Sequence, residues 1–186
     1  MSNITRRGVT LGLLSATQFL ASCGNGVGTS AAATIDAKVD ATLEYLYTNH
    51  PDSVELTEKS AGQLIMPLIT SGGIIIGGGY GRGALRVDEA SVDYYSAAMG
   101  SFGLQIGLQR FAHVLFFMTE AALDDFRHAS GWVAGAELGY AFSDQGGNWG
   151  ADTTTTTSSV IALVFGQTGA LIGASVEGLK YTRIIP

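Results

Sequence analysis

The apolar positions of this chain change period along its length. Ile35, Val39, Leu43 and Leu46 recur at helical spacing, which predicts a helix over Ile35 to Thr48 with Thr34 as its N-cap. His50-Pro51 ends it, because a residue before proline leaves the helical region. A second short helix is expected over Val54 to Ala61, capped by Asp52 or Ser53. From Leu64 the pattern turns to strands: a brief buried run at Leu64-Ile65-Met66, a glycine-rich strand or hairpin over Gly72 to Leu85, and a strand over Val92 to Ala97.

The stretch from Gly100 to Thr119 organises the rest. Phe102, Leu104, Ile106 and Leu108 alternate with Gly103, Gln105, Gly107 and Gln109, a period of two that puts one apolar face on a strand. Beyond Gln109-Arg110 the run Phe111 to Met118 is expected to be another strand. Thr119 then supplies an N-cap and Glu120 a negative charge in the first turn, so Glu120 to Ala129 should be a short helix with Leu123 and Phe126 inward, closed by Gly131. Val133 to Ser143 alternates, Asp144 to Gly150 is a loop, Thr153 to Phe165 ends in a buried strand, and Leu171 to Ile184 closes the sheet. The fold class is therefore α+β: N-terminal helices, then a curved, barrel-like antiparallel sheet with one inserted short helix.

Composition agrees with a bent sheet. The 186 residues suffice for one domain with a core, and their 26 glycines, about twice the usual 7% share, fall among β-branched and aromatic residues. No repeat or second domain is visible.

The N-terminus has a different character. Arg6-Arg7 precedes an apolar run to Ala21 that is shorter than the roughly 20 residues a spanning helix needs. Residues 1–22 are read as an export signal; twin arginines suit a Tat-type route, and the ordinary Sec route stays open. The run ends in Leu20-Ala21-Ser22-Cys23, similar to a bacterial lipobox, and Cys23 is the chain's single cysteine. By that resemblance Cys23 becomes the acylated first residue of the mature protein, and Gly24 in place of Asp points to the periplasmic face of the outer membrane. Residues 23–33 are read as the lipidated residue and a flexible linker, and 34–186 as the domain. Ten small residues from Gly24 to Ala33 would reach roughly 17 Å. Removing residues 1–22 takes two arginines and no acid, moving the net charge from −6 to −8. Such a chain should not bind nucleic acid.

Ser101 to Gly107 with Leu115 to Thr119 resembles bacterial members of the SYLF domain family. Val164 to Gln167, Gly173, Val176-Glu177-Gly178 and Thr182-Arg183-Ile184 follow in that family's order, and Pro67, Gly77-Gly78 and Tyr80-Gly81 fit upstream. The resemblance covers about residues 35 to 185 and implies a lipid-associating domain. Eukaryotic members are associated with phosphoinositide membranes and actin. Ser71 and Gly79 stand here where many relatives carry Lys and Glu, and an envelope protein meets neither ligand.

No active site assembles from the residues. Gly79 to Ala84 satisfies a dinucleotide fingerprint, but the following Leu85-Arg86-Val87-Asp88 is not helical, so a close-packed strand is expected. Asp124, Asp125 and His128 share a short helix without a further His or Cys to complete a metal set. His113 is expected to be a hydrogen-bonded semi-core residue. Ser101 lacks a nucleophile elbow, and the Thr153 to Thr157 run after Asp152 is explained by strand propensity. Arg82, Arg86, Arg110, Lys180 and Arg183 could line one side of the sheet and touch lipid or a partner. The expectation is a non-enzymatic, lipid-anchored envelope protein with no cofactor, its membrane partner held through Cys23. Its folded domain would bind vesicles weakly and with little salt dependence. The rivals are an envelope enzyme built on Asp124, Asp125 and His128, and a structural protein that oligomerises through its sheet.

Overall fold

Thr29, not Thr34, opens the first helix. The computed structural model describes residues 26–73, 76–102, 107–135, 138–142, 158–169 and 176–186. Helix α1 runs over Ser30–Asn49, and the Thr29 hydroxyl accepts from the Ala32 amide at 3.0 Å. The small residues 30–33, expected to be linker, are its first turn, which alanine-rich sequence favours. Thr34 instead donates its hydroxyl back to the Ser30 carbonyl. Ala32, Ile35, Val39, Leu43 and Leu46 form the buried stripe. The second helix, α2, covers Ser53–Lys59, and the side chain of its N-cap Asp52 makes no capping bond.

Among the described residues eight strands follow: β1 (Gly62–Gly73), β2 (Ile76–Val87), β3 (Ala90–Phe102), β4 (Gly107–Phe117), β5 (Trp132–Val133), β6 (Gly139–Phe142), β7 (Val160–Gly169) and β8 (Lys180–Ile184). They form one curled sheet in the order β5-β8-β3-β2-β1-β4-β7-β6. All neighbours are antiparallel except the short edge strand β6, which runs parallel to β7. The third helix, α3 (Glu120–His128), follows β4, with Thr119 capping the Ala122 amide as expected.

The central alternation divides differently from the sequence reading. Phe102 ends β3 and Gly107 begins β4, so Leu108 belongs with Phe111 in one strand and there is no break at Gln109-Arg110. These two strands are not partners. The β3 strand pairs with β2 and β8, and β4 with β1 and β7. Several expectations lie outside the described residues: Arg6, Arg7, Cys23, Gly24, Leu104, Ile106, Asp144 to Gly150, Thr153 to Thr157 and Gly173.

Each face of the sheet packs a core. On one face Ile65, Ala84, Tyr94, Val114, Phe116, Ile161, Leu163 and Phe165 meet the α1 stripe. On the other, Leu64, Met66, Leu85, Tyr95, Phe111, Leu115, Phe117 and Tyr181 meet Leu123 and Phe126 of α3. Burial on both faces explains why Phe111 to Phe117 is continuously apolar, with His113 alone polar in it. Pro67 breaks the β1 ladder, since it has no N–H to give, and the register shifts between Met66 and Ile69. Here β1 crowds β2, and a Cβ at Gly83 would lie 1.9 Å from the Ile65 carbonyl oxygen.

Candidate functional site

The face that carries α1 is covered over only part of its area. Strand register places Ile184, Tyr94, Ala84, Ile65, Val114 and Leu163 in one row across β8, β3, β2, β1, β4 and β7. Its members up to Leu163 lie in the core beneath α1. Further along the same strands the pairings Lys180–Ala98, Ala98–Tyr80, Tyr80–Thr70 and Thr70–Arg110 define a second row on that face. Lys180, Ala98, Tyr80 and Arg110 are exposed and Thr70 half-buried. Between the rows lies Arg82, exposed, opposite Ser96 and Thr182. Beyond the second row come Gly100, Gly78, Gly72 and Leu108.

This open half presents three cations, the Tyr80 ring at 54% exposure and Leu108 at 50%. No carboxylate occurs in these rows. The acids of the described residues stand elsewhere: Asp36, Asp40 and Glu44 on α1, Asp52 at the cap of α2 with Glu55 and Glu58 on it, Asp88 and Glu89 in the β2–β3 turn, Asp93 on the other face, Glu120, Asp124 and Asp125 on α3, and Glu177 in the turn that leads into β8. A negative chain thus carries a positive surface.

Of the five basic residues singled out from the sequence, Arg82, Arg110 and Lys180 come together there. Arg86 shares the face but is held under α1 by an ion pair with Asp40. Arg183 lies on the opposite face, opposite Tyr95 in the β3–β8 register and paired with the buried Asp93. Arg127 of α3 completes that group, its Nε donating to Asp93 Oδ2 at 3.1 Å. Two guanidinium groups over one 1%-exposed carboxylate tie α3 and β8 to β3, which is a structural role. The lone acid in the otherwise apolar run Val92 to Tyr95 was the available sign of this buried pair. Asp36 was also missed; its carboxylate accepts from Ser91 Oγ at 2.7 Å and Tyr94 Oη at 2.8 Å, locking α1 onto β3. Burial, reinforced by Asp36, raises the Tyr94 hydroxyl to about 12.

The other candidates resolve simply. Gly79 to Ala84 lies within β2, and no helix follows it. His113 is fully buried, and its Nε2 shares a hydrogen bond of 2.7 Å with Tyr181 Oη. Burial lowers its pKa to about 3, so it stays neutral and has no access to substrate. Asp124, Asp125 and His128 are all exposed on α3, with His128 Nδ1 against the Asp124 carbonyl at 2.8 Å. Among the described residues no group of His, Cys, Asp and Glu is arranged to hold a metal. A cleft of about 710 Å³ between α1, α2 and the start of β1 is rimmed by Asp40, Glu44, Glu58, Asp88 and Glu89. Its rim is acidic, with Arg86 the one cation in its lining.

Residues 98–183 match the sequence model of the Ysc84 family, described as Las17-binding protein actin regulator. That span runs from the end of β3 through β8, and so includes Lys180 and Arg110 but not α1. No curated protein matches the chain.

Proposed function

We propose that this chain, which belongs to the SYLF (Ysc84) family through residues 98–183, is a non-catalytic, lipid-anchored protein of the cell envelope. Its open half-sheet is the surface that meets lipid phosphates. The family is one of binding domains, and the observation that carries the lipid reading is the grouping of Arg82, Arg110 and Lys180 on neighbouring strand rows that hold no carboxylate, with Tyr80 and Leu108 exposed beside them. Guanidinium and ammonium groups donate to phosphate oxygens, and an exposed tyrosine suits the boundary between headgroup and acyl chain. The actin regulation in the family's description is not carried over, because an exported chain would not meet actin.

Magnitudes assign the parts. A basic residue near an anionic membrane contributes about 1 kcal/mol, so three give weak, reversible contact. An acyl chain contributes about 0.8 kcal/mol for each buried methylene, so acylated Cys23 would dominate retention while the sheet face sets which headgroups are met. The gathering of three cations on one surface favours a salt-dependent contact, where net charge had favoured weak binding with little salt dependence; the flotation below decides between them.

Alkyne fatty acid supplied to cells should label the wild type and not Cys23→Ala; equal labelling would end the anchor reading. Changing Arg6 and Arg7 to Lys should block export if the Tat route is used. The full chain carrying Cys23→Ser should float with anionic vesicles at low salt, and less at physiological salt, where the Debye length is about 8 Å. Equal flotation with neutral vesicles would overturn the headgroup reading.

A further inference from the structure

Gly26 and Pro186 close one pole of the domain. Gly26 holds a φ of +82°, and a Cβ there would lie 2.5 Å from Pro186 Cδ. Thr29, the cap of α1, donates its hydroxyl to the Pro186 carbonyl at 3.3 Å. One residue from this clasp on either side stand Val27, 50% exposed, and Ile185, at 74% the most exposed large apolar side chain among the described residues. Neither 26–35 nor 184–186 contains a charged side chain.

Only Gly24 and Asn25 separate Cys23 from Gly26. Three residues of fully extended chain span about 11 Å at most. The inference here rests on the reading of Cys23 as the acylated residue. We propose that the Gly26–Pro186 pole, through Val27 and Ile185, rests against the bilayer itself, and that the domain is held there in one orientation. Acyl chains on Cys23 enter the bilayer at that residue, so Gly26 stays within those 11 Å of the interface. The clasp then passes this position to the end of β8 and to the start of α1. The pole carries no charged side chain, its helix terminus is capped by Thr29, and the carboxylate of Pro186 accepts from the Thr29 hydroxyl and can stay at the hydrated headgroup level. Its two apolar side chains gain by entering the boundary between headgroups and acyl chains, where interfacial apolar faces sit about 5–10 Å deep.

The acylated full chain in vesicles provides the test. Its only cysteine is blocked as a thioether once acylated, so one introduced cysteine is a unique labelling site. A fluorophore is placed on Val27→Cys, Ile185→Cys or, as a distal control, Glu58→Cys. Glu58 lies on α2, which packs beside the second half of α1 and shares a cleft with Asp40 and Glu44, away from the helix start at Ser30. With nitroxide quenchers on the lipid headgroups, labels at 27 and 185 should lose most of their fluorescence and the label at 58 should keep it. Equal quenching at the three sites in a chain whose mass confirms acylation overturns the pole alone. A mass without acyl groups overturns the anchor, and the inference with it.

Discussion

Two stretches of the same strands, on the same face of the sheet, have opposite characters. The row through Tyr94, Ala84, Ile65, Val114 and Leu163 is buried to the last atom, while the row through Ala98, Tyr80 and Arg110 is open. What separates them is α1, whose stripe from Ala32 to Leu46 covers the first row and stops short of the second. The bulge at Pro67 falls between them on β1. Strand residues are thus largely apolar where α1 lies over them, with Arg86 paired to Asp40, and where no helix lies they are small, cationic or, at Tyr80 and Leu108, exposed and apolar. Covered rows hold the fold, and the open one has no helix over it.

The comparison breaks most visibly in the covered half. Phe116, fully buried beneath α1, should cost about 3–5 kcal/mol when changed to Ala, measured by denaturant unfolding. A loss like that of a surface residue would mean that α1 does not hold this row. At the boundary, Gly83→Ala must displace the β1 bulge, and about 1–3 kcal/mol is expected.

On the opposite face His113 makes stability depend on pH. Its pKa is lowered from 6.5 to about 3 in the fold, so below pH 6.5 the unfolded chain takes up a proton that the folded chain refuses. Stability from this group is fully present above 6.5 and falls by about 1.4 kcal/mol per pH unit toward pH 3. His113→Gln, neutral throughout, should flatten that acid limb in urea titrations; an unchanged slope would assign it elsewhere. Thr29→Ala removes the cap of the covering helix and should cost about 1 kcal/mol. Smallest of all, Arg110→Gln in the open row should change stability by less than about 0.5 kcal/mol.

Much of this organisation was legible in the residues, and the limits have physical causes. Period and capping chemistry located α3 from Thr119, and the helix-spaced stripe located α1, because both signals are local. The start of α1 was placed too late, since alanines favour a helix as readily as serine and glycine favour a linker. The division of the central alternation was misplaced because a period of two continues in sequence across Phe102 to Leu108 whether or not the strand does. Pairing is a property of the whole sheet, so nothing near Arg183 showed that it would turn from Lys180 toward Asp93. Nothing near Arg86 showed that Asp40 would occupy it. The basic residues were visible as a set; only the topology sorts three onto an open surface.

The account's central claim is that the open row binds and does not hold the fold. Its most direct measurement compares the Cys23→Ser chain with the same chain carrying Arg82→Gln, Arg110→Gln and Lys180→Gln, scored for anionic-vesicle flotation at low salt and for thermal unfolding. The account predicts an unfolding midpoint within a few degrees of the parent, with flotation lost. Flotation equal to the parent's would contradict it, as would a collapse in stability that showed these side chains to be structural.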